Sequence, residues 1–355
     1  MSIEVKFKEK LSKVLFLTLK KDRIKKIFHK DVSEELYIPI RSVFLANDEK
    51  LIESGEIPVS YFIEGMFYVL GADPGFKYNE SYKALLDGND DDVKYIKGRI
   101  FSLIDRKKYE EAYILLKGLF ALENSQDILE KMILILNTLR TMDQDYEQEL
   151  ESVLDKAAKL DNFPMPYIYK ALIEYEKKDY EGAFYSINTY FEKGGEKTKE
   201  ALELLDSIKL GRDYKNGVEL IDEEPKEALK LLLPLLKVLE NDASLLYYIG
   251  IAYRNINIYE KAIYYQTEAL RIDNNMIQSV NELGINYAAL RNYPDAIKYL
   301  RRAFEMTKSI EICTNLIMCY IKNNEIENAK LHIAIAEKID KNDEVLVQLK
   351  KLLNK

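Results

Sequence analysis

Apolar residues recur at helical spacing along most of this chain, broken by short polar turns, which predicts amphipathic helices folded back on one another in pairs. The clearest stretch reads Leu-Leu-Tyr-Tyr-Ile-Gly-Ile-Ala-Tyr from Leu245 to Tyr253, then Tyr-Glu-Lys-Ala-Ile from Tyr259 to Ile263. The next reads Val-Asn-Glu-Leu-Gly-Ile-Asn-Tyr from Val280 to Tyr287, then Tyr-Pro-Asp-Ala-Ile from Tyr293 to Ile297. Five columns repeat at one interval, the step from Gly250 to Gly284, which also separates Tyr253 from Tyr287, Tyr259 from Tyr293, Ala262 from Ala296 and Ala269 from Ala303. A fixed period of about 34 residues is the mark of a repeat architecture.

The register fades in both directions. Downstream, Leu316, Tyr320, Ala329 and Ala336 continue it after a one-residue contraction. Upstream, Ala228 stands one full period before Ala262, and the Tyr-x-x-Ala spacing returns at Tyr180 and Ala183 and at Tyr109 and Ala112. The expected organisation is a helical amino-terminal region over 1–90, divergent repeats over 91–208, and regular repeats over 209–343, divided at about 209–242, 243–276, 277–309 and 310–343. The stretch 127–163 fits only loosely. Residues 344–355 place Val345, Leu346, Leu349, Leu352 and Leu353 on one face, with Lys350, Lys351 and Lys355 toward the carboxyl end, as a terminal capping helix requires.

These segments resemble the tetratricopeptide repeat, a pair of antiparallel helices with small residues where backbones approach. The resemblance implies an all-α fold, a right-handed superhelical solenoid of helix pairs with a helical amino-terminal region. Gly250 and Gly284 would let the second helix lie near the first, Ala262 and Ala296 would do so from the other side, and Ala269 and Ala303 would admit the next pair. In that family the first helix of each pair lines a concave face that holds a protein or peptide. Mapped by helical spacing from the glycine column, that face would carry Tyr247, Ile251 and Arg254, then Asn281, Ile285 and Ala288, then Thr314 and Met318, with Ile168, Leu172 and Tyr175 from an earlier pair. This is an aliphatic and tyrosine groove with one cation, suited to an apolar or amphipathic segment whose backbone Asn281 would bond. Repeats that grip a chain-end carboxylate array several cations there, so recognition of an acidic chain end is not expected.

Fourteen glycines and eight prolines in 355 residues, with 47% hydrophobic and 32% charged residues, agree with long helices in a folded chain. The net charge of −8 conceals an asymmetry: residues 1–30 hold ten basic and three acidic side chains, a balance of +7 that leaves −15 for the rest. A basic segment meets nucleic acid, anionic lipid or its own acidic repeats. The run Val14 to Leu19 is too short for a signal-peptide core, no stretch approaches a membrane span, and a cytoplasmic location is the expectation.

The residues give no catalytic constellation, no metal site and no cofactor motif. His29 and His332 lie in unrelated contexts, and Cys313 and Cys319 point apart on one helix as two ordinary buried thiols. The run Asp87 to Asp92 lacks the turn glycine and closing carboxylate of a calcium loop and reads as a turn and helix start. A helix-turn-helix over 48–70, turning at Gly55, would present Tyr61, Phe62, Met66 and Tyr68 without a Lys or Arg for phosphates, which argues against DNA reading. The expected function is a non-catalytic protein- or peptide-binding scaffold. Two alternatives stand beside it: a peptide-responsive bacterial regulator with an amino-terminal effector region, and an adaptor carried to RNA or membranes by residues 1–30. Partner identity and oligomeric state are left open.

Overall fold

The computed structural model describes residues 3–47 and 57–353. The candidate turn at Gly55 and the terminal Lys355 lie outside the described residues. The chain divides into two compact units, Met1–Leu202 and Glu203–Lys355.

The first unit opens with α1 (Ile3–Glu9), a 3-10 turn (Lys10–Lys13), β1 (Val14–Leu19), α2 (Lys21–Phe28), β2 (Leu36–Arg41) and α3 (Ser42–Asn47). The strands correct the expectation of a helical region over 1–90. They pair antiparallel, with Val14 opposite Arg41 and Leu19 opposite Leu36. Ile38 and Ile40 are wholly buried β-branched side chains that suit a strand. Behind them stands α4 (Val59–Ala72), buried from Phe62 to Ala72. At Gly65 a side chain would lie 2.0 Å from the Pro39 carbonyl oxygen, so α4 rests directly on the backbone of β2.

Ion pairs hold this amino-terminal module to the helices of its own unit. Lys6 meets Asp143 at 2.7 Å, Lys8 meets Asp73 at 3.2 Å, and Lys10 meets Glu110. Glu64, with no exposed surface, accepts from Arg41 Nη1 and Arg99 Nε, each at 2.8 Å, and Arg41 also reaches Glu111. Part of the positive charge of residues 1–30 is thus matched within the unit.

The helices that follow are α5 (Asn79–Leu86), α6 (Asp90–Asp105), α7 (Tyr109–Phe120), α8 (Gln126–Met142), α9 (Tyr146–Ala157), α10 (Met165–Glu176) and α11 (Tyr180–Glu192). Residues Asp90, Asp91 and Asp92 form the first turn of α6, with the Asn89 side chain accepting from the Asp91 N–H, so the acidic run is a helix start. Next, α12 (Lys199–Glu219) is one continuous helix, and the expected boundary at 208/209 falls inside it.

In the second unit α13 (Pro225–Leu235), α14 (Ala243–Asn255), α15 (Tyr259–Ile272), α16 (Ile277–Ala289), α17 (Tyr293–Thr307), α18 (Ile310–Lys322) and α19 (Ile326–Ile339) precede a last helix, α20 (Glu344–Leu353). Helices α14 and α16 start one full period apart, at Ala243 and Ile277, as do α15 and α17, at Tyr259 and Tyr293. The next steps, to Ile310 of α18 and Ile326 of α19, are each one residue shorter, which is the contraction read from the sequence. Leu346 and Leu349 of α20 are buried in the core of the last pairs.

One turn recurs inside five pairs. Lys107, Lys178, Asn257, Arg291 and Asn324, each two residues before a second helix, have φ between 58° and 61°. In each case the next N–H donates to the carbonyl five residues back: Lys108 to Leu103, Asp179 to Glu174, Ile258 to Tyr253, Asn292 to Tyr287 and Glu325 to Tyr320. This is the Schellman closure, which satisfies the last carbonyls of the first helix and reverses the chain.

Candidate functional site

The face that a first helix offers is set by what its other side must bury. A Cβ at Gly250 would stand 2.4 Å from Gln266 Nε2, and one at Gly284 would stand 2.5 Å from Leu300 Cγ. The small residue therefore admits a side chain of the second helix in each pair. Ala262, Ala296 and Ala329, with Ala269, Ala303 and Ala336, are wholly buried. Tyr253 stacks on Tyr265 at 5.4 Å and Tyr287 on Tyr299 at 5.6 Å, the same contact one repeat apart. The glycine, alanine and Tyr253/Tyr287 columns read from the sequence are thus close packing positions inside the pairs.

No known family profile matches the chain, and no curated protein matches it in sequence. Among solved structures it is similar to YrrB, described as a TPR protein with an unusual peptide-binding site, at 18% identity over 56% of this chain and 96% of that one, with a TM-score of 0.41. It is similar also to MamA at 17% identity, over 51% and 95% of the two chains, with a TM-score of 0.38. A third is TTC0263, a TPR protein of Thermus thermophilus, at 19% identity over 54% and 100%, with a TM-score of 0.33. By their own fixed period, small-residue packing and recurring turn, the helix pairs from α14 to α19 have the fold of the tetratricopeptide repeat.

The opposite side of these first helices carries the candidate residues. Tyr247 and Ile251 on α14 and Asn281, Ile285 and Ala288 on α16 are half-buried. Arg254 joins the two helices, its Nε 2.8 Å from Glu282 Oε2 of α16. The one cation read from the sequence is thus paired: its guanidinium faces a carboxylate with only 10% of its side chain exposed. The pair is close enough for strong attraction, yet the N–H points off the oxygen, so both atoms remain short of a hydrogen bond. Burial raises the Glu282 carboxyl above the usual range, and the neighbouring Arg254 charge only partly opposes it. Asn281 Oδ1 is buried and has no hydrogen-bond partner among the described residues. Arg254 and Glu282 belong to successive first helices and are separated by less than one period. Spacing from the glycine column therefore drew attention to Asn281 and passed over its neighbour Glu282.

The remaining candidates divide. On α18, Met318 is exposed, but Thr314 is 3% exposed and donates to the Glu311 carbonyl within its own helix, which removes it from the open face. Ile168, Leu172 and Tyr175 belong to α10 of the first unit, half-buried, with Tyr175 packed on Tyr180 at 5.9 Å. Beyond the end of α10 lies a broad charged cleft of about 920 Å³ that includes Ile3, Arg140, Glu147, Glu176 and Lys177. Its charges answer one another: Arg140 Nη2 reaches Glu176 at 3.2 Å, and Lys177 reaches Glu147 at 2.8 Å and Glu151 at 2.7 Å.

The other residues weighed in the sequence have packing roles. His332 lies 5.0 Å from the Tyr320 ring and its Nδ1 is 2.9 Å from the Asn328 carbonyl, an interhelical position. Cys313 and Cys319 are buried free thiols that burial pushes up to about 11. His29 closes α2 at φ 54°. Among the described residues no helix is long and apolar enough to cross a membrane.

Proposed function

We propose that this protein is a non-catalytic scaffold that binds an extended or helical polypeptide segment along the first-helix face of α14, α16 and α18. The observation that carries the reading is the juxtaposition on α14 and α16 of half-buried Tyr247, Ile251, Asn281 and Ile285 with the paired charges of Arg254 and Glu282. Apolar surface of this kind supplies affinity, and a few directed polar groups set orientation. The Arg254 charge is already balanced by Glu282, which further disfavours an acidic chain end as the ligand.

The test is photocrosslinking from position 251, with a benzoylphenylalanine there, in lysate of the source cells. Polypeptides captured at 251, and lost when Tyr247→Ser and Ile285→Ser are added to a chain that keeps its circular dichroism, would support the groove. Capture that survives both substitutions would overturn it.

A further inference from the structure

The two-stranded sheet of the first unit has one covered edge and one open edge. Pro39 of β2 has no N–H to give to Phe16, its partner on β1. Its carbonyl oxygen instead lies against Gly65 of α4, and the Tyr37 carbonyl accepts from the Tyr82 hydroxyl of α5. Both residues therefore turn their backbone groups away from β1, and helices take up the outer edge of β2.

In an antiparallel ladder, pairs that exchange hydrogen bonds alternate with pairs that do not. The register sets Phe16 opposite Pro39 and Thr18 opposite Tyr37, so Phe16 and Thr18, with Val14 two residues earlier, direct their backbone groups away from β2. The Val14 N–H closes the 3-10 turn on the Leu11 carbonyl. The Val14 carbonyl, and the N–H and carbonyl of Phe16 and of Thr18, have no hydrogen-bond partner among the described residues. Side-chain exposure agrees: Thr18 is exposed and Leu15 is 47% exposed, while Ile40, opposite Leu15, is wholly buried.

Exposed strand edges are usually blunted by a charge, a proline or a bulge within the strand. From Val14 to Leu19, β1 has none of these, and its pairing with β2 runs without a break. The charges stand at its two ends instead. Lys13 and Lys20 are exposed, and neither forms an ion pair among the described residues. A second copy of the chain would set two lysine-flanked strands together within segments that each carry +7 over residues 1–30, which opposes self-pairing. A strand with acidic ends turns the same charges into attraction.

We propose that the open edge of β1 receives an extended segment of a partner protein, apolar at alternate residues and flanked by carboxylates. The segment adds as an antiparallel third strand, exchanging hydrogen bonds with the backbone of Phe16 and Thr18. Its apolar residues cover Leu15 and Leu17 on one face of the sheet, and its carboxylates pair with Lys13 and Lys20.

Fluorescence anisotropy on the full chain tests this with a labelled probe, Asp-Glu-Ile-Thr-Val-Thr-Ile-Glu-Asp, blocked at both ends. The expected result is saturable binding that is lost on N-methylation of the two threonine amides, which face β1, and kept on N-methylation of the valine amide, which faces outward. Thr18→Pro removes an outward N–H without touching the ladder to β2, and should abolish binding in a chain that keeps its circular dichroism. Lys13→Glu with Lys20→Glu, which alters no backbone group, should weaken binding by about tenfold or more. No binding up to about 1 mM, equal effects of the two methylations, or an unchanged affinity in the lysine variant would overturn the proposal. So would a concentration-dependent dimer of the parent chain that Thr18→Pro abolishes, since a second copy would then hold the edge.

Discussion

Five non-glycine residues sit in the left-handed backbone region to close the turns between paired helices, and this conformation sets side chains against their own carbonyls. Arg291 and Lys178 are exposed there, and neither side chain is needed for the hydrogen bonds that make the turn, which are backbone to backbone. Glycine is the residue this position favours. Arg291→Gly and Lys178→Gly should each stabilise the chain by about 0.5–1 kcal/mol in urea denaturation, the left-handed strain relieved exceeding the entropy that glycine adds to the unfolded chain. A loss of stability in both would mean that the arginine and lysine make contacts in solution that outweigh the strain. Glu64 presents the opposite case, because it holds Arg41 and Arg99 at once from a fully buried position. Glu64→Ala leaves both guanidinium groups facing a void and should cost about 3–5 kcal/mol. A midpoint shift of less than about 1 kcal/mol would show that water replaces the carboxylate there.

Between elements, α4 and α7 cross backbone against backbone. A Cβ at Gly71 would stand 1.8 Å from the Ile114 carbonyl oxygen, and one at Gly118 would stand 1.9 Å from that of Phe67. These obstacles are backbone, so the helices must move apart. Gly118→Ala should destabilise by well over the roughly 1 kcal/mol that alanine gains in helix propensity, and by more than Gly250→Ala, which meets the buried Gln266 side chain, hydrogen-bonded to the Tyr247 carbonyl at 3.0 Å, and not backbone. Thermal melts of the two variants check the contrast, and equal melting temperatures would refute it. The contrast also explains what was legible in the sequence. The pairs from α14 to α19 repeat the same packing, so Gly250, Gly284 and the alanines had to recur at a fixed period. Helices α8 and α9 form an equivalent pair, but α8 is long, from Gln126 to Met142, and the step from Tyr109 of α7 to Tyr146 of α9 exceeds one period, so no fixed interval exposed it. The strands escaped for another reason: Val14 to Leu19 is a continuous apolar run, and a run so short carries no period to separate strand from helix. Glu282 escaped because its partner is on the previous first helix, a relation that no single repeat contains.

At the scale of the whole molecule, acid should act differently on the two units. In the first, burial raises Glu110 and Glu111, but Lys10 with the Tyr146 hydroxyl outweighs it at Glu110, as Arg41 does at Glu111; both carboxyls lie below the usual range. The hydrogen bond from Lys6 likewise lowers Asp143, and Lys117 lowers Glu149. A carboxyl depressed in the folded state contributes stability above its unfolded value, near 4, and that contribution is lost as pH falls through the lower folded value. Asp92 and Glu174 of the same unit are raised, mainly by burial, and oppose the trend, but neither ties the amino-terminal module to its neighbours. Glu282 in the second unit is also raised, so its ionisation costs stability as pH rises from about 4 through the folded value, and acid removes that cost. Acidification from pH 7 to about 3 should therefore release α1 and the 3-10 turn from Asp143 and Glu110 while leaving the α14 and α16 pairs protected. Hydrogen exchange, corrected for intrinsic rate, should show peptides covering 3–13 and 143–150 opening first and those covering 277–289 opening last. The reverse order, or a simultaneous loss of protection, would mean that the lysine contacts to Glu110 and Asp143 do not secure the amino-terminal module.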